Sequence, residues 1–136
     1  MMIPHHEGAI AMADLAMRRA CRGEIRALAE RIRTSQAGEI EQLRRWYRAW
    51  YGSPVPVMRG MASDLEALRT ARDFDRAFLE QMVAHHRMGV RMATRAEVAT
   101  QHPELRRLEA AMARVQSAEI EQMERWYGQW FGAKAL

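Results

Sequence analysis

The sequence repeats itself at a fixed offset of 80 residues. Residues 2–52 align with residues 82–132 without a gap. The longest identical runs are Glu-Ile-Glu-Gln at 39–42 and 119–122, and Arg-Trp-Tyr at 45–47 and 125–127. Self-similarity at a fixed period indicates that one supersecondary unit is built twice. Any fold proposed for this chain must therefore contain two copies of the same unit.

The sequence pattern of each copy predicts two helices separated by a short break. The break falls at residues 21–23 (Cys-Arg-Gly) in the first copy and at residues 101–103 (Gln-His-Pro) in the second. A long amphipathic helix follows each break and ends at a glycine, Gly52 or Gly132, as helices commonly do. Two helical hairpins contain four long helices. We therefore predict an all-α fold built from two repeated hairpins.

The length of 136 residues suits a single helical domain spanning 1–136. Repeat one covers 1–52, a linker covers 53–72 and repeat two covers 73–132. Two prolines open the linker, and 57–70 is predicted to form a short linking helix. The second copy has helical turns before Met82 that the first copy lacks, so we expect a truncated N-terminus. Apolar surface exposed there would favour a homodimer.

Both copies carry adjacent histidines flanked by methionines. At about 100° per residue, His85, Met88 and Met92 share one stripe of a helix, and Met82 and His86 form the neighbouring stripe. Methionine and histidine at helical spacing are often core residues, but packing rarely requires paired histidines twice. We therefore interpret them as metal ligands. The nine candidates are Met2, His5, His6, Met12, Met82, His85, His86, Met88 and Met92.

The donor types in this pattern favour copper. Thioether sulfur is a polarizable ligand that suits Cu(I), and imidazole binds copper in either oxidation state. We expect Cu(I) to be favoured over Cu(II), and silver to follow Cu(I). The predicted function is binding or sequestration of these ions, in metal resistance or homeostasis, without enzymatic activity.

The sequence resembles a known family. Residues 2–13 (Met-Ile-Pro-His-His-Glu-Gly-Ala-Ile-Ala-Met-Ala) and 74–86 (Phe-Asp-Arg-Ala-Phe-Leu-Glu-Gln-Met-Val-Ala-His-His) look like domain-of-unknown-function family 305, which includes CopM-like copper-binding proteins. The resemblance extends over nearly the whole chain, including Met58 and Met61. It implies a ferritin-like four-helix bundle, location in the periplasm or cell envelope, and copper or silver binding through His and Met. The first copy departs from the pattern at Gly8, where the second has Met88.

Two alternative functions stay open. Ferritin-like di-metal enzymes use Glu-x-x-His motifs, and this chain contains none. We therefore expect the glutamates of the repeated runs to face solvent or to pair with arginine. The glutamates of the repeated runs are Glu39, Glu41, Glu119 and Glu121.

The other alternative is a protein-interaction module without metal. Cu(I) titration would distinguish it from a metal-binding protein.

Charge, hydropathy, cysteine content and tryptophan spacing narrow the class of protein further. The formal charge of +4 comes almost wholly from dispersed arginines, so no nucleic-acid partner is expected. No apolar run approaches the length of a membrane span, and the chain as given shows no signal peptide. The single cysteine, Cys21, excludes an internal disulfide. Four tryptophans at helical spacing are predicted to be largely buried in the core: Trp46, Trp50, Trp126 and Trp130.

Overall fold

A computed structural model describes residues 2–56 and 65–132 of the chain. Within these ranges the regular elements are five α-helices: α1 (Met2–Arg19), α2 (Gly23–Tyr51), α3 (Leu65–Arg69), α4 (Phe74–Ala99) and α5 (Pro103–Phe131). Both predicted breaks are confirmed. The predicted linking helix is present as α3, and its earlier part, with Met58 and Met61, lies outside the described residues. None of the described helices is both long enough and apolar enough to cross a membrane.

Glycines end the two long helices, as predicted. Gly52 and Gly132 adopt left-handed backbone conformations, with φ of 71° and 63°. The N–H of Gly52 donates to the carbonyl of Arg48 at 2.8 Å, and the N–H of Gly132 donates to the carbonyl of Gly128 at 3.1 Å. A side chain at either position would be strained, because L-residues rarely adopt this conformation.

The chain divides into two compact units, of which the first comprises Ile3–Asp75. Its helices α1 and α2 run antiparallel, since Glu7 pairs with Arg44 and Asp14 pairs with Arg33, at 3.4 and 3.3 Å. Apolar residues recur at helical spacing on both elements and are buried. They include Ala9, Met12, Ala13 and Ala16 on α1, and Ile25, Leu28, Ala29 and Ile32 on α2.

Two long-range contacts complete the first unit. The Arg19 guanidinium, at the end of α1, donates to the carbonyls of Leu68 and Arg69, the last two residues of α3, and to the carbonyl of Ala71 just beyond it. The Asp75 carboxylate is buried at 2% exposure and accepts three hydrogen bonds from the loop between α1 and α2. The donors are the Cys21 N–H, the Arg22 N–H and the Arg22 guanidinium, at 2.9, 3.1 and 3.0 Å.

The second unit runs from Arg76 onward and contains the α4–α5 hairpin. Its core includes Phe78, Met82 and Met123, all fully buried. The Tyr127 hydroxyl donates to Glu80 at 2.5 Å and accepts from the Arg76 Nε at 3.1 Å. The Arg76 guanidinium also lies over the Tyr127 ring, 5.5 Å from its centroid. Tyr127 on α5 thus contacts α4 in two ways: its hydroxyl hydrogen-bonds with Glu80 and Arg76, and its ring packs under the Arg76 guanidinium.

The tryptophans are half-buried, so the prediction that they lie largely in the core holds only in part. Trp46 stacks on Trp50 with ring centroids 5.7 Å apart, and Trp126 stacks on Trp130 at 5.3 Å. A ring face covered by its neighbour along the same helix is removed from water without insertion into the core. Spacing of four residues correctly placed each pair on one side of its helix.

Candidate metal centre

The paired histidines lie on the shorter helix of each hairpin, α1 or α4. His6 and His86 are fully buried, His5 is buried at 3% exposure, and His85 is half-buried. Buried histidines need specific partners, because an unpaired polar group inside a protein is costly. The partners of His6 and His86 therefore define the chemistry of each motif.

A glutamate from the longer helix of the same hairpin contacts each fully buried histidine. His6 Nε2 lies 2.6 Å from Glu39 Oε1, and His86 Nε2 lies 2.6 Å from Glu119 Oε1. The Glu39 and Glu119 side chains are 22% and 15% exposed. The prediction that these two glutamates face solvent or pair with arginine was therefore wrong.

The cause of this error is the position of each glutamate on its helix. Glu39 follows the buried Gln36 by three residues and precedes the buried Ile40, so it lies beside the apolar stripe of α2. Glu41 and Glu121 are exposed, as predicted. The 33-residue separation of histidine and glutamate recurs in both copies, but so does the 35-residue separation from His6 to Glu41 and from His86 to Glu121, so the repeat alone does not identify the pairs.

The second ring nitrogens of the two histidines are buried as well. Nδ1 of His6 and Nδ1 of His86 have no hydrogen-bond partner among the described residues. The same holds for the side-chain oxygens of the buried Gln36 and Gln116, which are equivalent in the repeat. Each hairpin thus contains a buried ring nitrogen and a buried amide oxygen for which the described part of the chain supplies no hydrogen-bond partner.

The candidate methionines differ in exposure between the copies. Met82 and Met12 are buried, Met2 and Met92 are half-buried, and Met88 is 38% exposed. On α4 the two predicted stripes are distinct: Met82 lies inside with His86, whereas the stripe of His85, Met88 and Met92 lies nearer the surface. Thioethers on α4 are therefore available both in the core and at the surface.

Clusters of nitrogen, oxygen and thiolate ligands are not formed by the part of the chain that the structure describes. Over 2–56 and 65–132, no three His, Cys, Asp or Glu side chains come together in a metal-binding group. Cys21 is exposed. Methionine sulfur is the further donor that α1 and α4 offer beside their histidines. A mixed imidazole and thioether set suits Cu(I) and Ag(I) better than magnesium or calcium.

An ion pair next to each histidine motif has opposite polarity in the two hairpins. Glu7, which follows His6, pairs with Arg44 at 3.4 Å. The equivalent Arg87 pairs with the equivalent Glu124 at 2.7 Å. The acidic and basic residues have exchanged helices between the two copies, so the ion pair is kept although each of its residues has changed. The second pair is the less exposed of the two, with side chains 39% and 25% exposed.

Comparison with known proteins assigns the family. The sequence profile described as domain of unknown function (DUF305) matches residues 1–127. The solved structure of CopM in the Cu(I)-bound form is 44% identical, with a TM-score of 0.92 over 96% of this chain and 93% of that chain. CopM in the Ag-bound form, obtained by soaking, is 44% identical, with a TM-score of 0.90 over 96% of this chain and 92% of that chain.

Other comparisons extend this result. CopM in the Cu(II)-bound form is 43% identical, with a TM-score of 0.91 over 95% of this chain and 92% of that chain. A DUF305 protein from Streptomyces coelicolor, named as a candidate secreted protein, is 28% identical, with a TM-score of 0.87 over 99% of this chain and 91% of that chain. No curated protein matches the chain. These similarities confirm the predicted all-α class with the four long helices of a four-helix bundle, and the chain belongs to the DUF305 family.

Proposed function

We propose that this protein binds copper-group ions through the histidine and methionine side chains of α1 and α4, and holds or carries them without catalysing a reaction. The observation that carries the proposal is the buried histidine of each hairpin, which a carboxylate contacts at Nε2 and whose Nδ1 has no hydrogen-bond partner within 2–56 and 65–132. Metal-binding histidines usually donate their other ring N–H to a carboxylate, a backbone carbonyl or water. The proposed ligands are Met2, His5, His6, Met12, Met82, His85, His86, Met88 and Met92.

Copper and silver are the ions that these donors favour. Thioether sulfur is soft and uncharged, so it stabilises a soft monovalent ion and interacts weakly with hard divalent ions. The structures of CopM with Cu(I), Cu(II) and Ag support the same choice, since that protein is 43–44% identical to this chain. We propose that Cu(I) is bound in preference to Cu(II), because five of the nine candidate ligands are methionines.

A role in copper resistance or homeostasis in the periplasm or cell envelope would follow from this chemistry. A relative named as a candidate secreted protein supports that location. Sequestration needs several soft donors but no open coordination position for a substrate, which separates it from metalloenzyme catalysis. Homodimer formation stays a prediction from the sequence.

Titration with Cu(I) and Cu(II) in the presence of a competing chelator tests the proposal. Replacing His85 and His86 with alanine should weaken Cu(II) binding more than Cu(I) binding, by about tenfold or more. Replacing Met88 and Met92 with leucine should do the reverse, at nearly unchanged side-chain volume. Met17→Leu is the matched control, because Met17 is a half-buried methionine of α1 outside the ligand set.

Two outcomes would contradict the proposal. Equal copper affinities in the parent and in all these variants would mean that the methionines and histidines only pack the helices. A protein that binds neither ion, and whose molecular mass in solution rises with its concentration, would instead support the protein-interaction module. Circular dichroism of each variant would show whether a loss of affinity reflects unfolding.

A further inference from the structure

We propose that Glu39 and Glu119 are positioning residues that hold His6 and His86 as the Nε2–H tautomer, so that each ring offers Nδ1 to the ion. The identity of the ion rests on the proposed function. The tautomer does not, because it follows from contacts within the metal-free protein. The proposal adds two residues to the metal centre and assigns one atom of each histidine as the donor.

The contact at Nε2 determines where the ring hydrogen lies. An ionised carboxylate can only accept hydrogen bonds, so Nε2 must donate to the glutamate that lies 2.6 Å away. The opposite tautomer would place the Nε2 lone pair against a carboxylate lone pair at that distance. The His6 and His86 side chains are 0% exposed, so water cannot replace the missing hydrogen bond.

The environment of Nδ1 leads to the same assignment. Nδ1 of His6 and Nδ1 of His86 are both buried without a hydrogen-bond partner among the described residues. A hydrogen on either atom would be buried without an acceptor, whereas a lone pair there is free to bind a cation. A carboxylate on the other nitrogen also raises the basicity of the ring as a ligand and fixes its orientation.

The repeat provides an independent comparison. The methionine environments differ between the copies, and the neighbouring ion pair is reversed, yet the histidine–glutamate distance is 2.6 Å in both. The other glutamates of the repeated runs, Glu41 and Glu121, lie two residues further on and are exposed. The two exposed glutamates are therefore matched controls of the same residue type on the same helices.

Nitrogen-15 NMR of the metal-free protein at neutral pH tests the tautomer directly. The imidazole chemical shifts of His6 and His86 should show a protonated Nε2 and an unprotonated Nδ1. Glu39→Gln and Glu119→Gln, which alter one hairpin at a time, assign the two rings. Protonation at Nδ1 with a bare Nε2, in either histidine, would overturn the proposal for that hairpin.

Silver(I) is the probe for the donor atom, because it is diamagnetic and a surrogate for Cu(I). Its addition should shift Nδ1 of both histidines and leave the Nε2–H signal in place. Glu39→Ala or Glu119→Ala should weaken silver binding in its own hairpin by about 10- to 100-fold. The glutamine variants should recover part of this loss, because an amide oxygen still accepts from Nε2–H. Glu41→Ala and Glu121→Ala should bind as tightly as the parent.

The silver titrations can also contradict the proposal. Silver on Nε2, or alanine variants that are folded and bind as tightly as the parent, would overturn the positioning role. If the alanine variants do not fold, the NMR spectra of the parent and of the glutamine variants decide. A parent protein that binds neither silver nor Cu(I) would overturn the proposed function and the assignment of Nδ1 as donor, and the tautomer would still be decided by the metal-free spectra.

Discussion

Replacing Asp75 with alanine should destabilise the first unit by about 3 kcal/mol. Asp75 is the buried carboxylate that joins the first turn of α4 to the loop between α1 and α2. Its removal leaves two loop N–H groups, those of Cys21 and Arg22, without their acceptor. It also removes the Asp75 carboxylate from its ion pair with the Arg22 guanidinium.

The magnitude follows from these three hydrogen bonds. Each backbone N–H that loses its acceptor costs about 1 kcal/mol. Breaking a fully buried ion pair would cost about 3–5 kcal/mol more. Because the Arg22 side chain is 35% exposed, we assign about 1 kcal/mol to the loss of its ion pair with Asp75. Asp75→Asn keeps one acceptor oxygen and should cost about half as much as Asp75→Ala.

Urea unfolding followed by circular dichroism measures this change. With a denaturant slope of about 1–3 kcal/mol per molar, the midpoint should fall by about 1–3 M. Asp14→Ala is the control, because Asp14 pairs with Arg33 at 3.3 Å and both side chains are nearly half exposed. It should cost less than about 1 kcal/mol. Equal midpoints for the two alanine variants would show that the Asp75 hydrogen bonds contribute no more than a surface pair.

Two further predictions concern Tyr127 and Met88. The hydrogen bond to Glu80 raises the pKa of Tyr127, and burial adds to this. The resulting stabilisation is complete below about pH 10 and is lost as pH rises through the raised pKa. Tyr127→Phe should therefore reduce the alkaline fall of the urea midpoint. Peroxide should oxidise Met88, 38% exposed, faster than the buried Met12, and silver should slow the reaction at Met88, both measured by peptide mass spectrometry.

Local sequence signals were sufficient for the helices and their ends. The breaks at 21–23 and 101–103, and the terminal glycines Gly52 and Gly132, are properties of a few consecutive residues, and the structure confirms them. The grouping of the α4 side chains into two stripes also follows from the helical period alone. Such features are predictable because the backbone responds to its immediate neighbours. Which stripe is buried does not follow from the helical period.

The histidine–glutamate pairs could not be predicted in the same way. Glu39 and Glu41 are the same residue type, two positions apart, and only the alignment of α1 against α2 decides which one reaches His6. That alignment depends on how the buried side chains of two helices fit together, which the periodicity of either helix leaves undetermined. The half-burial of the tryptophans has a similar origin, because spacing shows which residues share a side and not what covers that side.

The two hairpins share the histidine–glutamate contact and differ in their methionines, and this difference matters for the proposed metal binding. The carboxylate and imidazole are paired identically in both, as expected if they establish the orientation of the donor nitrogen. The first hairpin has Gly8 where the second has the exposed Met88, and its Met12 is buried where Met92 is half-buried. If these side chains bind a metal as proposed, a soft ion approaching from solvent should meet a thioether first on α4, because Met88, 38% exposed, is the candidate ligand with the greatest exposure. We therefore expect the second hairpin to capture an ion from solution more readily than the first.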